Sequence, residues 1–145
     1  MSETPNRFNL RVYAIIRNEN GDVLLSDERR GGIPFTKFPG GGLEFGEGTK
    51  ECLKREIQEE LGLASEIGNL FYVNDFYQQS AYRKTDQLIS FYYEVDLINS
   101  RAILVSNHDV PLKEEGEKFR WVAISDLSQD EVTFPVDKKV VELLT

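Results

Sequence analysis

The segment of residues 40–63 constrains the fold of this chain more than any other, because a run of glycines leads directly into an acidic, helix-forming stretch. Residues 40–42 are all glycine, which lets the backbone take conformations closed to other residues and approach a ligand closely. Leu53, Ile57 and Leu61 then recur at intervals of four, which predicts a helix with one apolar stripe facing a core. We therefore expect a loop and a helix that meet at the edge of the buried interior.

The predicted helix carries the carboxylates of Glu56, Glu59 and Glu60. At about 100° per residue, Glu60 lies about 40° to one side of Glu56 and Glu59 about 60° to the other, so all of them project from one flank. Close like charges repel, but a hard divalent cation such as Mg²⁺, which prefers oxygen ligands, offsets that repulsion. The alternative is a solvated acidic face in which Arg55 pairs with its neighbours. The adjoining glycines favour the cation site.

The same segment resembles the Nudix box, the pattern G-x5-E-x7-R-E-U-x-E-E-x-G-U in which U is aliphatic. Every fixed position of that pattern is filled at the required spacing, by Gly41, Glu47, Arg55, Glu56, Ile57, Glu59, Glu60, Gly62 and Leu63. Phe38-Pro39-Gly40, directly ahead of the box, is similar to the family's usual lead-in. On these residues the chain is identified as a member of the Nudix family.

The resemblance implies hydrolysis of a nucleoside diphosphate linked to another group, X, by water activated on Mg²⁺, with Mn²⁺ as the alternative cofactor. Carried over residue by residue, it makes Glu56 and Glu60 direct metal ligands and Glu59 a further ligand or the base that orients water. Gly40 is expected to offer its backbone carbonyl to the metal. Arg55 is expected to hold the helix carboxylates in place.

Four residues outside the box are further candidates. Family members often draw another carboxylate from a loop beyond the box, and here Glu114, Glu115 and Glu117 precede Trp121. Of these, Glu115 is given a catalytic role, because Glu115-Gly116 is similar to the corresponding loop of MutT-like relatives. Arg29 and Lys37, just upstream of the glycines, are candidates for substrate contacts, and Asp137 is a candidate for contact with a nucleobase. Each has a plainer alternative: a solvated acidic turn, an ordinary basic patch, and a helix-entry acid favoured by the helix dipole.

The identity of X is left open between a nucleoside triphosphate and a nucleotide sugar. Gln78-Gln79-Ser80 stand where many ADP-ribose pyrophosphatases of the family carry a proline, which counts against ADP-ribose. A second hypothesis is a non-catalytic Nudix module that senses a nucleotide and regulates a partner. Such regulators commonly carry an eroded box or an added DNA-binding domain, and this chain shows neither, so the enzyme is favoured.

Composition sets the remaining expectations. A chain of 145 residues with 25 acidic against 17 basic side chains, net charge −8, is expected to form one domain, residues 1–145, that binds neither nucleic acid nor anionic membranes nonspecifically. No long apolar stretch or signal-peptide core occurs at the N-terminus, which predicts a cytoplasmic protein. The lone Cys52 excludes an internal disulfide, and the lone His108 is interpreted as an ordinary loop residue. Family members often pair, so a homodimer is a further expectation.

Outside the box, alternating patterns predict an α/β fold with a mixed sheet. Strands are expected at residues 8–17, 22–26, 69–77, 87–97 and 118–124, and a closing helix at residues 136–144. The Asn-Gly step at residues 20–21 predicts that the first two strands form a hairpin. The resemblance adds a Nudix-type α/β/α sandwich, in which helices cover both faces of a curled mixed sheet.

Overall fold

The computed structural model describes residues 4–145, so the first three residues of the N-terminal segment discussed above lie outside the described range. The described chain forms seven strands and two α-helices: β1 (Arg7–Ile16), β2 (Val23–Arg30), β3 (Ile33–Lys37), β4 (Gly40–Gly42), α1 (Thr49–Leu61), β5 (Ser65–Val73), β6 (Asp86–Leu97), β7 (Gly116–Val122) and α2 (Pro135–Leu144). Neither helix within residues 4–145 has the length and apolar character needed to cross a membrane.

The strands form two sheets. The first has four strands in the order β4-β1-β6-β5, with β1 parallel to β6 and antiparallel to β4, so this sheet is mixed. The second has three antiparallel strands in the order β3-β2-β7. The chain passes between the sheets at the turn after β1 and again between β3 and β4, which places the glycines of β4 where the two sheets meet.

Two apolar cores lie on opposite faces of the strands because neighbouring residues of a strand point to opposite sides. From β1, Val12 and Ala14 pack with Leu53 and Ile57 of α1 in one core. Ile15 of the same strand instead joins the other core. That second core also contains the apolar face of α2, Val136, Val140 and Val141. The helices therefore cover opposite faces, which confirms the predicted α/β/α sandwich.

The predicted hairpin between the first two strands was wrong. A turn does follow β1, but β1 and β2 do not pair as neighbouring strands. Their ends are joined by an isolated bridge between Arg17, directly after β1, and Val23, the first residue of β2. β1 instead pairs with β6 over its whole length, and β2 pairs with β3 and β7. Long-range pairing of buried strands outweighs the local preference of the Asn-Gly step, because it buries both faces of β1.

Other boundaries also differ from prediction. β2 continues to Arg30 and β5 begins at Ser65, whereas residues 22–26 and 69–77 were predicted. The short strands β3 and β4 were not predicted, because five residues and three glycines show no alternation of apolar and polar side chains.

Candidate functional site

The glycine strand lies directly against helix α1. A Cβ atom on Gly41 would stand 2.4 Å from the Glu56 carboxyl carbon, and one on Gly40 would stand 2.1 Å from the backbone oxygen of Val12. Gly40 also has a φ of +150°, a conformation that side chains disfavour. Gly40 therefore has no room for a side chain, and a side chain on Gly41 would have to displace the Glu56 carboxylate, so the glycines let the backbone of β4 lie directly against that carboxylate.

Arg55 joins the helix to the loop that precedes it. Its guanidinium donates to the Glu47 carboxylate at 2.7 and 3.0 Å and to the Gly42 carbonyl at 3.2 Å. It also donates to Glu56 at 2.9 Å. Hydrogen bonds from Arg55 lower the pKa of Glu47 to about 2. This geometry suits the predicted role of Arg55 as the residue that holds the helix carboxylates in place.

The helix carboxylates face different environments. Glu56 is largely buried beside Arg55, whereas the side chain of Glu59 is 57% exposed and contacts Arg55 at 3.3 Å. Glu60 points inward, and its buried Oε2 has no hydrogen-bond partner among residues 4–145. Burial, opposed by Lys37 and reinforced by neighbouring carboxylates, raises the pKa of Glu60 to about 7. Of the three, Glu56 and Glu60 therefore face the interior and Glu59 faces solvent.

Two further carboxylates reach the same region from the second sheet: Glu28, which the sequence analysis missed, and Glu117, which it passed over in favour of Glu115. Glu28 of β2 lies opposite Glu117 of β7 in the strand register, and the Glu28 side chain is buried. Like charges directly across a sheet destabilise it unless a cation balances them. Burial raises the pKa of Glu117, and Glu28 raises it further. Only the alternation of Ser26 and Glu28 along an extended strand could have indicated an inward carboxylate here.

Lys37 is the cation at the centre of these acidic side chains. It is buried, and its ammonium lies 3.2 Å from the Glu28 carboxylate. It donates to the carbonyl oxygens of Phe38 at 3.2 Å and Gly40 at 3.4 Å. Burial lowers the pKa of Lys37, but attraction to Glu28, Glu60 and Tyr13 outweighs burial and raises it. The lysine is therefore held as a charged group.

The site suits a hard divalent cation. The buried Glu60 oxygen has no partner among the described residues, and burial together with the neighbouring carboxylates raises the pKa of Glu60 more than Lys37 lowers it. The carboxylate and carbonyl oxygens of this region are the kind of ligand that such a cation prefers. Within residues 4–145 no three acidic, histidine or cysteine side chains already converge on one point. Glu56 and Glu60 are the helix carboxylates that would hold such a cation.

A cavity of about 420 Å³ adjoins this cluster on the side of α2. The buried residues Glu28 and Lys37 of the cluster are among its lining residues. Three aromatic rings with centroids 5.5 to 6.0 Å apart line its wall, those of Phe35, Tyr82 and Phe134. The cavity thus joins a charged end to an aromatic surface, an arrangement that suits a ligand with an anionic and a planar part.

Asp137 and Asp86 supply the buried acceptors of the cavity. Asp137 accepts a hydrogen bond from the Tyr92 hydroxyl. Burial, opposed by that hydrogen bond, raises the pKa of Asp137 to about 7. Asp86 is held by two hydrogen bonds of 2.9 Å from Arg7. The predicted candidate Asp137 therefore does line a pocket, together with Lys37.

The structure does not bring Glu115 and Arg29 to the carboxylate cluster. Glu115 accepts hydrogen bonds from the Gly32 amide at 3.2 and 3.3 Å and contacts Arg29 at 3.7 Å, at the turn between β2 and β3. Arg29 also donates to the Leu112 carbonyl. Glu117, two residues after Glu115, is the acidic residue of this segment that faces Glu28.

His108 has a larger structural role than an ordinary loop residue. Its buried ring contacts Asp27 at 2.7 Å and the Ser106 hydroxyl at 2.7 Å. Asp27 also accepts from Arg120 at 2.7 Å. These contacts anchor the segment before β7 to the second sheet. They lie on the other side of β2 from Glu28, outside the cluster.

Comparison with known proteins places these features in a family. Residues 7–144 match the NUDIX domain. The chain is 27% identical over 135 residues to the 8-oxo-dGTP diphosphatase of Escherichia coli (strain K12), which covers 92% of this chain and 93% of that protein. It is 32% identical over 123 residues to the nucleoside triphosphatase NudI of Escherichia coli O81 (strain ED1a), covering 80% of this chain and 82% of NudI.

The fold has the same relationship. The chain superposes on the crystal structure of a MutT NUDIX hydrolase from Burkholderia pseudomallei with a TM-score of 0.69 and 22% sequence identity. The match covers 97% of this chain and 100% of that one. At this level of identity the match concerns the fold alone.

Proposed function

The chain belongs to the Nudix family, and from that premise we propose that it is a Mg²⁺-dependent pyrophosphohydrolase that acts on nucleoside triphosphates. The match to the NUDIX domain over residues 7–144 supports the hydrolase class. The names of two relatives, an 8-oxo-dGTP diphosphatase and a nucleoside triphosphatase, support a nucleotide substrate.

One observation carries the proposal: the buried Glu60 oxygen that lacks a partner among the described side chains. Lys37, which attracts Glu60, also lines the cavity with the aromatic wall. Glu56, Glu60 and the Gly40 carbonyl would hold the divalent cation, and Glu117 of the second sheet is an acidic neighbour of Glu60. Glu59 is proposed as an outer residue that acts through Arg55, because it faces solvent. A bound cation neutralises phosphate charge and lowers the pKa of a water ligand.

The chain's own residues position the rest of the substrate. Arg55 fixes Glu56 and Glu47, so the helix meets the glycine strand in one geometry. Lys37 lines the cavity on the side of the carboxylate cluster, where phosphate groups would lie. Phe35 and Phe134 offer ring faces on which a nucleobase can stack.

Asp137 is proposed to form a hydrogen bond with the polar edge of a base. Because its pKa is raised to about 7, near neutral pH it exists both as an acceptor and as a protonated donor. A buried group that requires a partner discriminates strongly against ligands that lack one.

Location in the cytoplasm and a homodimeric state remain predictions.

The test is product analysis on a panel of nucleoside triphosphates, 8-oxo-dGTP, nucleotide sugars, ADP-ribose and dinucleoside polyphosphates, with Mg²⁺ and with EDTA. We expect Mg²⁺-dependent release of pyrophosphate and a nucleoside monophosphate from a triphosphate. Cleavage of a nucleotide sugar alone would keep the hydrolase and replace the substrate. Tight nucleotide binding without cleavage of any substrate would instead favour the sensing module.

A further inference from the structure

The ammonium of Lys37 contacts the same kind of atoms that a divalent cation would take. It donates to the Gly40 carbonyl at 3.4 Å and lies 3.2 Å from Glu28. An ammonium has three donors, and a third contact, 3.2 Å to the Phe38 carbonyl, uses the last of them. Lys37 thus has a partner for each of its three donors, and one of these partners, the Gly40 carbonyl, is a proposed metal ligand.

The surroundings explain why a lysine is stable at this buried position. Glu60 and Glu28 both attract it, and a buried charge persists only when it is paired and hydrogen-bonded. Its Gly40 contact requires the glycine carbonyl to face the lysine. If the Gly40 carbonyl and the Glu60 carboxylate bound a divalent cation while Lys37 stayed in place, the ammonium and the metal ion would lie close together and repel each other strongly.

We propose that Lys37 is a built-in competitor for the divalent cation: it neutralises the carboxylate cluster in the metal-free protein and must give up the Gly40 carbonyl when the metal binds. The inference rests on the proposed divalent-cation site. Lys37 also lines the cavity beside the cluster, so the released ammonium has room on the side where substrate phosphates would lie. Metal binding and repositioning of Lys37 are then one coupled event.

Three consequences follow for metal binding without any substrate. Removal of the Lys37 charge should tighten the binding of a divalent cation, because one repulsive charge is lost and Glu28 is left without its partner. The metal-free protein should become less stable, since the acidic side chains lose their counter-ion. Added metal should then stabilise the variant more than it stabilises the wild type.

The experiment is a titration with Mn²⁺ followed by electron paramagnetic resonance, which needs no activity. Lys37→Met removes the charge, and Lys37→Gln removes it while keeping a hydrogen-bond donor in case the methionine variant does not fold. Lys54→Met is the matched control, because Lys54 is exposed on α1 and its loss changes net charge equally. Glu60→Gln identifies binding at the proposed site. Melting temperatures with and without Mg²⁺ provide a second readout.

We expect the Mn²⁺ dissociation constant of a foldable Lys37 variant to fall by at least about tenfold relative to both wild type and Lys54→Met. Unchanged or weaker binding in that variant, with binding still lost in Glu60→Gln, would overturn the inference and leave the proposed site intact. Absence of Glu60-dependent Mn²⁺ binding in every variant would overturn the site and, with it, the inference.

Discussion

At the scale of single residues, the site is built from groups whose stability depends on their immediate neighbours. Glu28 and Glu117 face each other across two strands, Glu60 is buried with a raised pKa, and Lys37 supplies the nearby positive charge. Close approach of Gly41 to Glu56 adds a steric requirement to this electrostatic one. Changes of a single atom or charge should therefore have measurable effects.

Gly41→Ala should destabilise the fold, whereas Gly42→Ala should have little effect. The new Cβ of Gly41→Ala would stand 2.4 Å from the Glu56 carboxyl carbon and would push that carboxylate away from its hydrogen bond with Arg55. The Cβ of Gly42→Ala would meet the end of the Arg11 side chain at 3.2 Å, a smaller overlap. We expect the free energy of unfolding to fall by about 1–3 kcal/mol for Gly41→Ala. Urea denaturation of the two variants checks this, and equal stabilities would contradict it.

Asp137 should make stability depend on pH. Its pKa is raised to about 7 in the folded protein, so between about pH 4 and pH 7 the folded state binds a proton that the unfolded chain releases. The free energy of unfolding therefore falls as pH rises through that window, by at most about 1.4 kcal/mol per pH unit for one such group. Asp137→Asn should reduce this slope and leave the part that Glu60 contributes.

The comparison is made by urea denaturation across this pH window in EDTA, with the exposed Asp126→Asn as the control. A slope in Asp137→Asn equal to that of the wild type would show that Asp137 titrates normally.

At the scale of elements, helix α1 is held at both ends and along one side. Gly48 caps its N-terminus together with the Glu51 side chain, and Gly62 ends it in the left-handed conformation with φ of 67°. Arg55 ties the helix to the preceding loop through Glu47 and to β4 through the Gly42 carbonyl. The helix therefore presents Glu56 and Glu60 from a fixed position.

Arg55→Lys should lower both stability and activity. Lysine cannot make the two-pronged contact with Glu47 and still reach the Gly42 carbonyl. Because hydrogen bonds between charged groups are stronger than neutral ones, their loss should lower the melting temperature, and a displaced Glu56 should lower kcat/KM. Arg17→Lys is the control, because Arg17 makes a more exposed ion pair with Glu94 at 3.2 Å. Similar melting temperatures for the two variants would count against a positioning role for Arg55.

The elements differ in how far their sequence predicts them. Helix α1 was predicted from local signals: Leu53 and Ile57 are spaced by four residues, and Gly62 ends the helix. The partners of β1 were not, because pairing with β6 depends on residues far along the chain. The same contrast holds for the site. The box residues could be named from their local spacing, whereas Glu28 and Glu117 come together only through the pairing of β2 with β7.

At the scale of the whole molecule, the cavity collects parts from separate elements. Phe35 comes from β3, Tyr82 from the segment between β5 and β6, and Phe134 from the residue that caps α2. The second sheet, the segment between β5 and β6 and the start of α2 thus contribute to one wall of a cavity that Glu28 and Lys37 of the cluster also line. No local sequence pattern could have grouped these rings.

Phe134→Ala should raise the KM for the preferred nucleotide with little change in kcat. Stacking of a base on an aromatic ring is worth about 1–3 kcal/mol, so a rise of about tenfold or more is expected. Phe8→Ala, which removes an exposed ring outside the cavity, serves as the control. An unchanged KM for Phe134→Ala would place the base elsewhere.

The most direct test of the account is the Mg²⁺-dependent kcat/KM of Glu60→Gln on the best substrate of the panel, measured beside the wild type and Glu66→Gln. Glu66 is exposed on β5, so its variant makes the same chemical change away from the site. We predict that Glu60→Gln loses about a hundredfold or more while Glu66→Gln keeps wild-type activity. Wild-type activity in a folded Glu60→Gln protein would contradict the placement of the divalent cation at this helix.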